Sequence, residues 1–326
     1  MYKTPLLGLL LTLFTVVSFI SASAEDETPV ARVALCFYGL SRSTRYTIAS
    51  IEEHILEPLK KNNVEYDIFV HSYIVKKPQP NPRAREKQSD VELLLEQRED
   101  YKLLNPTKLM LSTQDDVDKV IVNYNPLYAQ VSGRYRYGEK ATKLNIFRAR
   151  HSMEMAWNVM DSYLAENNLA PYDSVVFLRP DVLFLSDLDL PSRLPMPPST
   201  IFAPSFHAWG GVNDRFAYGD CASMHRYAHR IEDPAASQDS KGGKKWLMWH
   251  FNNFSQPNTE IFLRSHLESK KVHVTSVDME FARIRVNGKV NHKDKGMLEK
   301  AANDPNRSKS AREYMKLVLE LEGVET

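Results

Sequence analysis

Cysteine is nearly missing from this 326-residue chain, which holds only Cys36 and Cys221. That excludes a disulfide framework, and the lack of a C-x-x-C pair excludes a dithiol redox centre and a cysteine-built metal site. Neither sign of charge is in excess, with 42 Lys and Arg against 41 Asp and Glu. Nothing electrostatic therefore points to nucleic acid or a membrane surface as a partner. Glycine is scarce, at 12 residues, and none falls into a GxGxxG or Walker pattern. Beyond residue 24 no run is apolar enough to span a bilayer.

What is present is a globular composition, 43% hydrophobic and 25% charged, in a length that suits one large domain or two small ones. Residues 1–24 stand apart. Lys3 gives a positive start, Leu6 to Ile20 an apolar run of 15 residues, and Ala22-Ser-Ala24 a small-residue cleavage site. The run is short of the about 20 residues a spanning helix needs, so a cleaved signal peptide is expected in preference to an anchor. The body is then placed in the secretory lumen (Golgi or endoplasmic reticulum) or outside the cell. The sequons Asn253-Phe-Ser and Asn306-Arg-Ser fit a glycoprotein of that compartment.

The stretch that organises the chain is Tyr172-Asp-Ser-Val-Val-Phe-Leu-Arg-Pro-Asp181. Ser174 to Leu178 has the apolar, β-branched character of a strand buried on both faces. Pro180 has no N–H for a ladder and ends it, leaving Arg179 and Asp181 at the carboxyl end, where open α/β sheets bind ligands. A first strand, Arg32 to Leu40, ends at Gly39. Ser41-Arg42-Ser-Thr-Arg45 then leads into a helix closed by Asn62-Asn63. Glycine, hydroxyls, arginines and helix N-terminal N–H groups suit a phosphate, and equally a polar turn with a cap. A second strand, Tyr66 to Tyr73, puts His71 near its end.

Residues 76–92 are polar and proline-containing, the mark of an exposed loop or lid. Lys108 to Leu111 is expected as a strand and Asp115 to Val122 as a helix, and the tyrosines and arginines of 124–137 suit either a cleft wall or a packed loop. The clearest helix is 144–165, with Ile146, Ala149, Met153, Trp157, Met160 and Leu164 on one stripe. Arg150 shares that stripe, so it must snorkel or find a carboxylate or phosphate. After a strand at Thr200 to Pro204, Phe206 to Asp220 crowds Trp209, two glycines and the Asn213-Asp214 pair together, as a sugar pocket requires. Thr259 and Glu260 open a helix through Leu267, followed by a strand at Val272 to Val277 and by Arg283-Ile-Arg285. From residue 291 the chain reads as a polar tail with a helix at Ala311 to Leu321.

Taken in order, Arg32-Val-Ala-Leu-Cys-Phe-Tyr-Gly39 with Arg42, Asp67-Ile-Phe-Val-His71, the Arg148 to Trp157 helix, Tyr172 to Asp181, Asn213-Asp-Arg-Phe-Ala-Tyr-Gly219 and Glu260 resemble the GT-A type nucleotide-diphospho-sugar glycosyltransferases, over roughly residues 30–290. The resemblance implies a Rossmann-like α/β/α sandwich with a mostly parallel sheet, moving a hexose or pentose from a nucleotide donor to a glycan, protein or lipid hydroxyl. It implies donor binding by Gly39, Ser41, Arg42, Arg45, His71, Arg150, Arg179 and Asp181. A sugar or acceptor pocket falls to Trp209, Asn213 and Asp214, and catalysis to Asp214 first and Glu260 second. Such enzymes hold Mn2+ or Mg2+ on a DxD motif, and Asp181 matches its second acid. Arg179 stands where the first belongs. Either Asp187 or Asp189 then joins the metal, or arginine charge replaces part of it. Two alternatives stay open: a lumenal sulfotransferase using the Gly39 loop, and a sugar-binding protein without catalysis.

Overall fold

The structure is a computed structural model and describes residues 31–76, 78, 86–124, 139–230 and 259–321. In chain order its first half holds β1 (Ala31–Tyr38), α1 (Thr44–Ile51), a π-helical turn (Glu52–Leu56), α2 (Glu57–Lys61), β2 (Val64–Ile74), α3 (Gln88–Glu96), β3 (Lys108–Thr113), α4 (Gln114–Tyr124) and α5 (Glu139–Asn167). Then follow β4 (Ser174–Leu178), β5 (Val182–Phe184), β6 (Thr200–Pro204), β7 (Phe216–Gly219), α6 (Cys221–Ala228), α7 (Thr259–Ser269), β8 (His273–Val277), β9 (Phe281–Arg283), α8 (Lys295–Ala302) and α9 (Lys309–Glu320).

The central sheet runs β3-β2-β1-β4-β7-β6-β8. Strands β3, β2, β1 and β4 are parallel, β7 runs against both its neighbours, and β8 is parallel to β6. This is the mostly parallel α/β/α arrangement expected, and alternation along the strands shows why two helical layers are needed. Val33, Leu35 and Phe37 of β1 pack into one core with Ile51 and Ile55, while Ala34, Cys36 and Tyr38 pack into another with Met153, Trp157 and Met160 of α5. Val176 and Leu178 of β4 face the first core, Val175 and Phe177 the second. With both faces covered, the strand sequences have no reason to alternate in polarity. Cys36 is buried as a free thiol, as its apolar strand suggests.

Register brings the carboxyl ends of β1, β2 and β4 into line. Tyr38 pairs with His71, Phe37 with Leu178, and Leu178 with Phe216 at the start of the antiparallel β7. The residues that follow Tyr38 and Leu178 and those that precede Phe216 therefore meet at one edge.

Three of the described helices, α3, α6 and α8, are absent from the sequence expectations. α3 occupies the end of the segment read as a loop, and α6 follows directly on β7, its N-terminus capped by Asp220, whose carboxylate accepts from the Ser223 N–H at 3.0 Å. The carboxyl-terminal region is also more than a tail. β5 and β9 form a separate antiparallel pair, and α8 and α9 pack on it through Leu298, Ala302, Met315 and Val318 against Leu183 and Ile284. Amphipathic helices with so few apolar residues look solvated in sequence, because half of the surface that covers them, Leu183 and Leu185, lies more than a hundred residues earlier and pairs with the nearby β9 only in the fold. Residues 1–24, 124–137 and 235–245, on which the signal, tyrosine-rich and basic-loop expectations rest, fall outside the described residues or at their edge. Among the described residues no helix is long and apolar enough to cross a membrane.

If 291–321 is part of the fold, Met315→Ala should cost roughly 2–5 kcal/mol in urea unfolding, with a single transition. A separate tail would leave the midpoint unchanged.

Candidate functional site

The edge beyond β1, β4 and β7 is built around a charge pair. Arg179 donates to Asp181 twice, Nε to Oδ1 at 2.8 Å and Nη2 to Oδ2 at 2.7 Å. Pro180 between them is tied to α1 by the Thr47 hydroxyl, which donates to its carbonyl at 2.6 Å. The Asp181 carbonyl accepts from the Ile284 N–H at 3.0 Å, which lays Arg285 alongside. Arg42 approaches from the β1–α1 loop, its Nε 3.8 Å from Asp181 and its Nη1 donating to Glu86 at 2.6 Å. Burial alone would raise the Asp181 pKa. The Arg179 charge and hydrogen bonds, with Arg42 and Arg285, instead bring it down to about 2. Arg285 is pushed down to about 10, by burial first and then by the neighbouring charge of Arg42.

This donor set does not fit a divalent cation. Both Asp181 oxygens are engaged by one guanidinium, and two more stand close by, where a dication would meet like charge. Asp187 pairs with His54, Nδ1 to Oδ1 at 2.6 Å, and Asp189 with Tyr218 and Arg193, so neither turns to Asp181. Among the described residues no three His, Cys, Asp or Glu side chains gather as a metal site would need.

Beside that cluster lies a carboxylate pair. The Tyr38 hydroxyl donates to the Asp214 carbonyl at 2.5 Å, fixing the loop before β7 to the end of β1. The N-terminus of α7 closes over it: the Val212 N–H donates to the Glu260 carbonyl at 3.0 Å, and Gly211 lies so close that a Cβ there would stand 1.9 Å from that peptide. The Thr259 hydroxyl is 3.1 Å from Asp214 Oδ2 and 3.0 Å from Glu260 Oε2, and Arg215 Nη1 lies 3.3 Å and 3.7 Å from the two carboxylates. The hydroxyl of Thr259, the first residue of α7, is thus turned to the acids.

One hydroxyl has one proton, so Thr259 serves both acids best when Glu260 is protonated and donates to it while Asp214 accepts. The electrostatics agree. Burial and then the Asp214 charge raise the Glu260 pKa, whereas at Asp214 the effect of burial is overcome by Arg215, Arg230, Thr259 and Arg179. Two carboxyls with separated proton affinities at one strand edge form an acid–base constellation. Arg150 is 2% exposed, its guanidinium 4.2 Å from the centroid of the Phe262 ring. Burial and then Arg230 hold its pKa down to about 9, and Asp214 and Glu260 favour its charge.

The other expected residues divide. His71 is wholly buried, Nδ1 2.7 Å from the Ser152 hydroxyl and Nε2 2.9 Å from that of Ser112. Burial, with nearby His151, lowers its pKa to about 3. A neutral imidazole locked between two serines positions the loop above it, since Ser152 also accepts from the Gly39 N–H at 2.7 Å. The loop itself is stitched inward. Gly39 takes φ +100°, the Ser41 N–H donates to Ser72 at 3.2 Å, and the Ser43 N–H donates to Gln97 at 2.9 Å. These three amides are therefore engaged by protein, and the phosphate cradle imagined from sequence is a structural turn that delivers Arg42. Arg45 faces Asp100 through Nε and Nη2 at 2.8 and 2.9 Å, apart from the Asp181 cluster. Asn213 is buried and holds its own loop, donating to the Phe206 carbonyl at 2.9 Å and accepting from the Arg215 N–H at 3.0 Å. Trp209 is 51% exposed, with a left-handed backbone at φ 45° and its ring stacked on His207. Lys293 Nζ stands 4.6 Å from the centroid of the same ring, so the indole is exposed but already faced by an imidazole and an ammonium.

Sequence reasoning missed Arg215, Thr259 as a proton partner, Arg230, Glu86 and Asp294. Asp294 is fully buried and pinned by Arg283 Nε and Nη2, both at 2.7 Å. The only available signal was charge near apolar runs, which solvated faces share.

No family model matches the chain, and no curated protein does. Solved glycosyltransferase structures do resemble it. Mouse xyloside xylosyltransferase 1 aligns at 11% identity over 76% of this chain and 84% of its own, with a TM-score of 0.38. A glycosyltransferase involved in glycosylation of the PBCV-1 major capsid aligns at 9% identity over 88% and 99%, with a TM-score of 0.27. The bifunctional enzyme WbbM aligns at 12% over 90% of this chain and 52% of its own, also at 0.27. The chemistry rests on the residues described above.

Two outcomes follow from this geometry. Gly211→Ala should cost about 1–3 kcal/mol or more by overpacking and displace α7, seen as a lowered Tm. His71 should stay neutral in NMR titration down to about pH 3 in the folded protein. Because its unfolded value is near 6.5, the unfolded chain binds the extra proton between those values, and stability should fall as pH falls through that window.

Proposed function

We propose that this protein is a glycosyltransferase that moves a sugar from a nucleotide-diphosphate donor to an acceptor hydroxyl within the secretory pathway. The observation that carries the proposal is the Asp214–Glu260 pair, whose proton affinities are set apart at the same strand edge as the Arg179–Asp181 cluster. The two halves of the edge match the two charge movements of the reaction. The acceptor O–H gives its proton to the carboxylate pair as its oxygen bonds to the sugar C1. The C1–O bond to phosphate breaks, and the nucleoside diphosphate leaves with the electron pair beside the arginines.

Glu260, once it has given up its proton, is the stronger candidate for the base, reversing the order expected from sequence, because a raised pKa makes it the more basic of the two carboxylates. Asp214 stays ionised, favours retention of the Glu260 proton and accepts from Thr259. Trp209 supplies the apolar face for a sugar ring. The secretory placement rests on residues 1–24 and their small-residue cleavage site. A phosphosulfate at the Gly39 loop is disfavoured, because the Gly39, Ser41 and Ser43 amides that would cradle it already donate to side chains.

The test is a screen of nucleotide-sugars for hydrolysis and transfer, followed by variants on the active donor. Glu260→Gln should lower kcat by about 10²–10⁴-fold, the usual reach of general acid–base catalysis. The wild-type kcat/KM should climb with pH through the Glu260 pKa, and that limb should vanish in the variant. Sugar binding without turnover on any donor would leave the non-catalytic sugar-binding alternative standing.

A further inference from the structure

We infer that the donor diphosphate is gripped by the guanidinium groups of Arg42, Arg179 and Arg285 without a divalent cation. This rests on the nucleotide-sugar reading above and specifies how that site manages charge.

Three observations converge. The carboxylate that would anchor a metal is already saturated, since Arg179 takes both oxygens of Asp181 in a fork-to-fork pair. Arginine also outnumbers acid locally: Arg42, Arg179 and Arg285 face Asp181 and Glu86, which leaves one positive charge over. The third observation singles out Arg285. Its guanidinium forms no hydrogen bond or ion pair with any described residue, yet it is largely screened from water and flanked by Arg42 and Arg283. Arg283 gives Nε and Nη2 to Asp294, whereas the Arg285 guanidinium has five N–H donors, with Arg42 and Arg283 opposing its charge and Asp181 and Glu86 favouring it.

An oxyanion placed there relieves that repulsion. The guanidinium plane presents paired N–H groups to two phosphate oxygens at once, and its charge does not depend on a bound ion. Asp181 then acts as a positioning residue: it aims Arg179 and keeps the cluster from repelling itself when no donor is bound. The β1–α1 loop, whose amides are held by Ser152, Ser72 and Gln97, fixes the backbone that carries Arg42 in the same sense.

Calorimetry with UDP, GDP and inorganic pyrophosphate, each in EDTA and in Mn2+, tests the inference on the full-length protein. The expected result is binding of at least one diphosphate in EDTA, strengthened less than about threefold by Mn2+ and weakened steeply by added salt. Arg285→Ala should then weaken binding about tenfold or more with Arg285→Lys in between, while circular dichroism shows both variants folded. Binding that appears only with Mn2+ overturns the inference and leaves the glycosyltransferase reading intact. Binding in EDTA that Arg285→Ala does not weaken overturns the assignment of Arg285. No binding of any of the three in either buffer overturns both.

Discussion

The Arg179–Asp181 pair is the constraint on which the rest of this edge depends. Pro180 has no N–H for a ladder, so β4 stops before it, and the fork between Arg179 and Asp181 accompanies the turn of the chain into β5, which pairs with β9. The Thr47 hydroxyl holds the intervening carbonyl, and Ile284 holds the next, so α1, β4 and β9 meet at three consecutive residues. A buried ion pair of this kind is a poor source of net stability, because desolvation offsets much of its attraction. Its worth lies in placement: with it, Arg42 and Arg285 are brought beside one carboxylate, and a surplus of positive charge is stored at a strand edge.

The carboxylates at the other side of the edge are organised by backbone instead of charge. Gly211 lets the first turn of α7 sit directly on the loop before β7, and the Val212 to Glu260 hydrogen bond fixes the contact. That contact, and not sequence proximity, makes Asp214 and Glu260 neighbours across 46 positions. Burial and Asp214 then raise one acid while Arg215 and Arg230 lower the other, which is how two similar groups acquire different roles.

Much of this was legible beforehand. The strands β1, β2, β4 and β6 and the long helix α5 announce themselves by apolar runs and a helical stripe, and the Arg-Pro-Asp exit from β4 marks the edge where chemistry gathers. Arg150 was expected to meet a carboxylate or phosphate; its guanidinium stands over the Phe262 ring, with Asp214 and Glu260 favouring its charge. Other features were hidden for physical reasons. His71, Asn213 and the Gly39 loop carry residue types that serve ligands and structure equally well, and only their partners, Ser152, Phe206 and Gln97, show that they hold the protein together. α8 and α9 looked solvated, since the apolar surface they cover is contributed by β5 and β9.

The layers can be read from the order of residues alone: which segments are buried on both faces, where each strand ends, and which charges are left at those ends. Local propensity and periodicity suffice for that, because they act within a few residues. Tertiary structure alone decided what those charges do. The fork between Arg179 and Asp181, close as they are in sequence, is held by Thr47 and Ile284 from elsewhere in the chain, and the raised proton affinity of Glu260 and the charges around Arg285 come from groups distant in sequence, through burial and Coulomb interactions that no local pattern records.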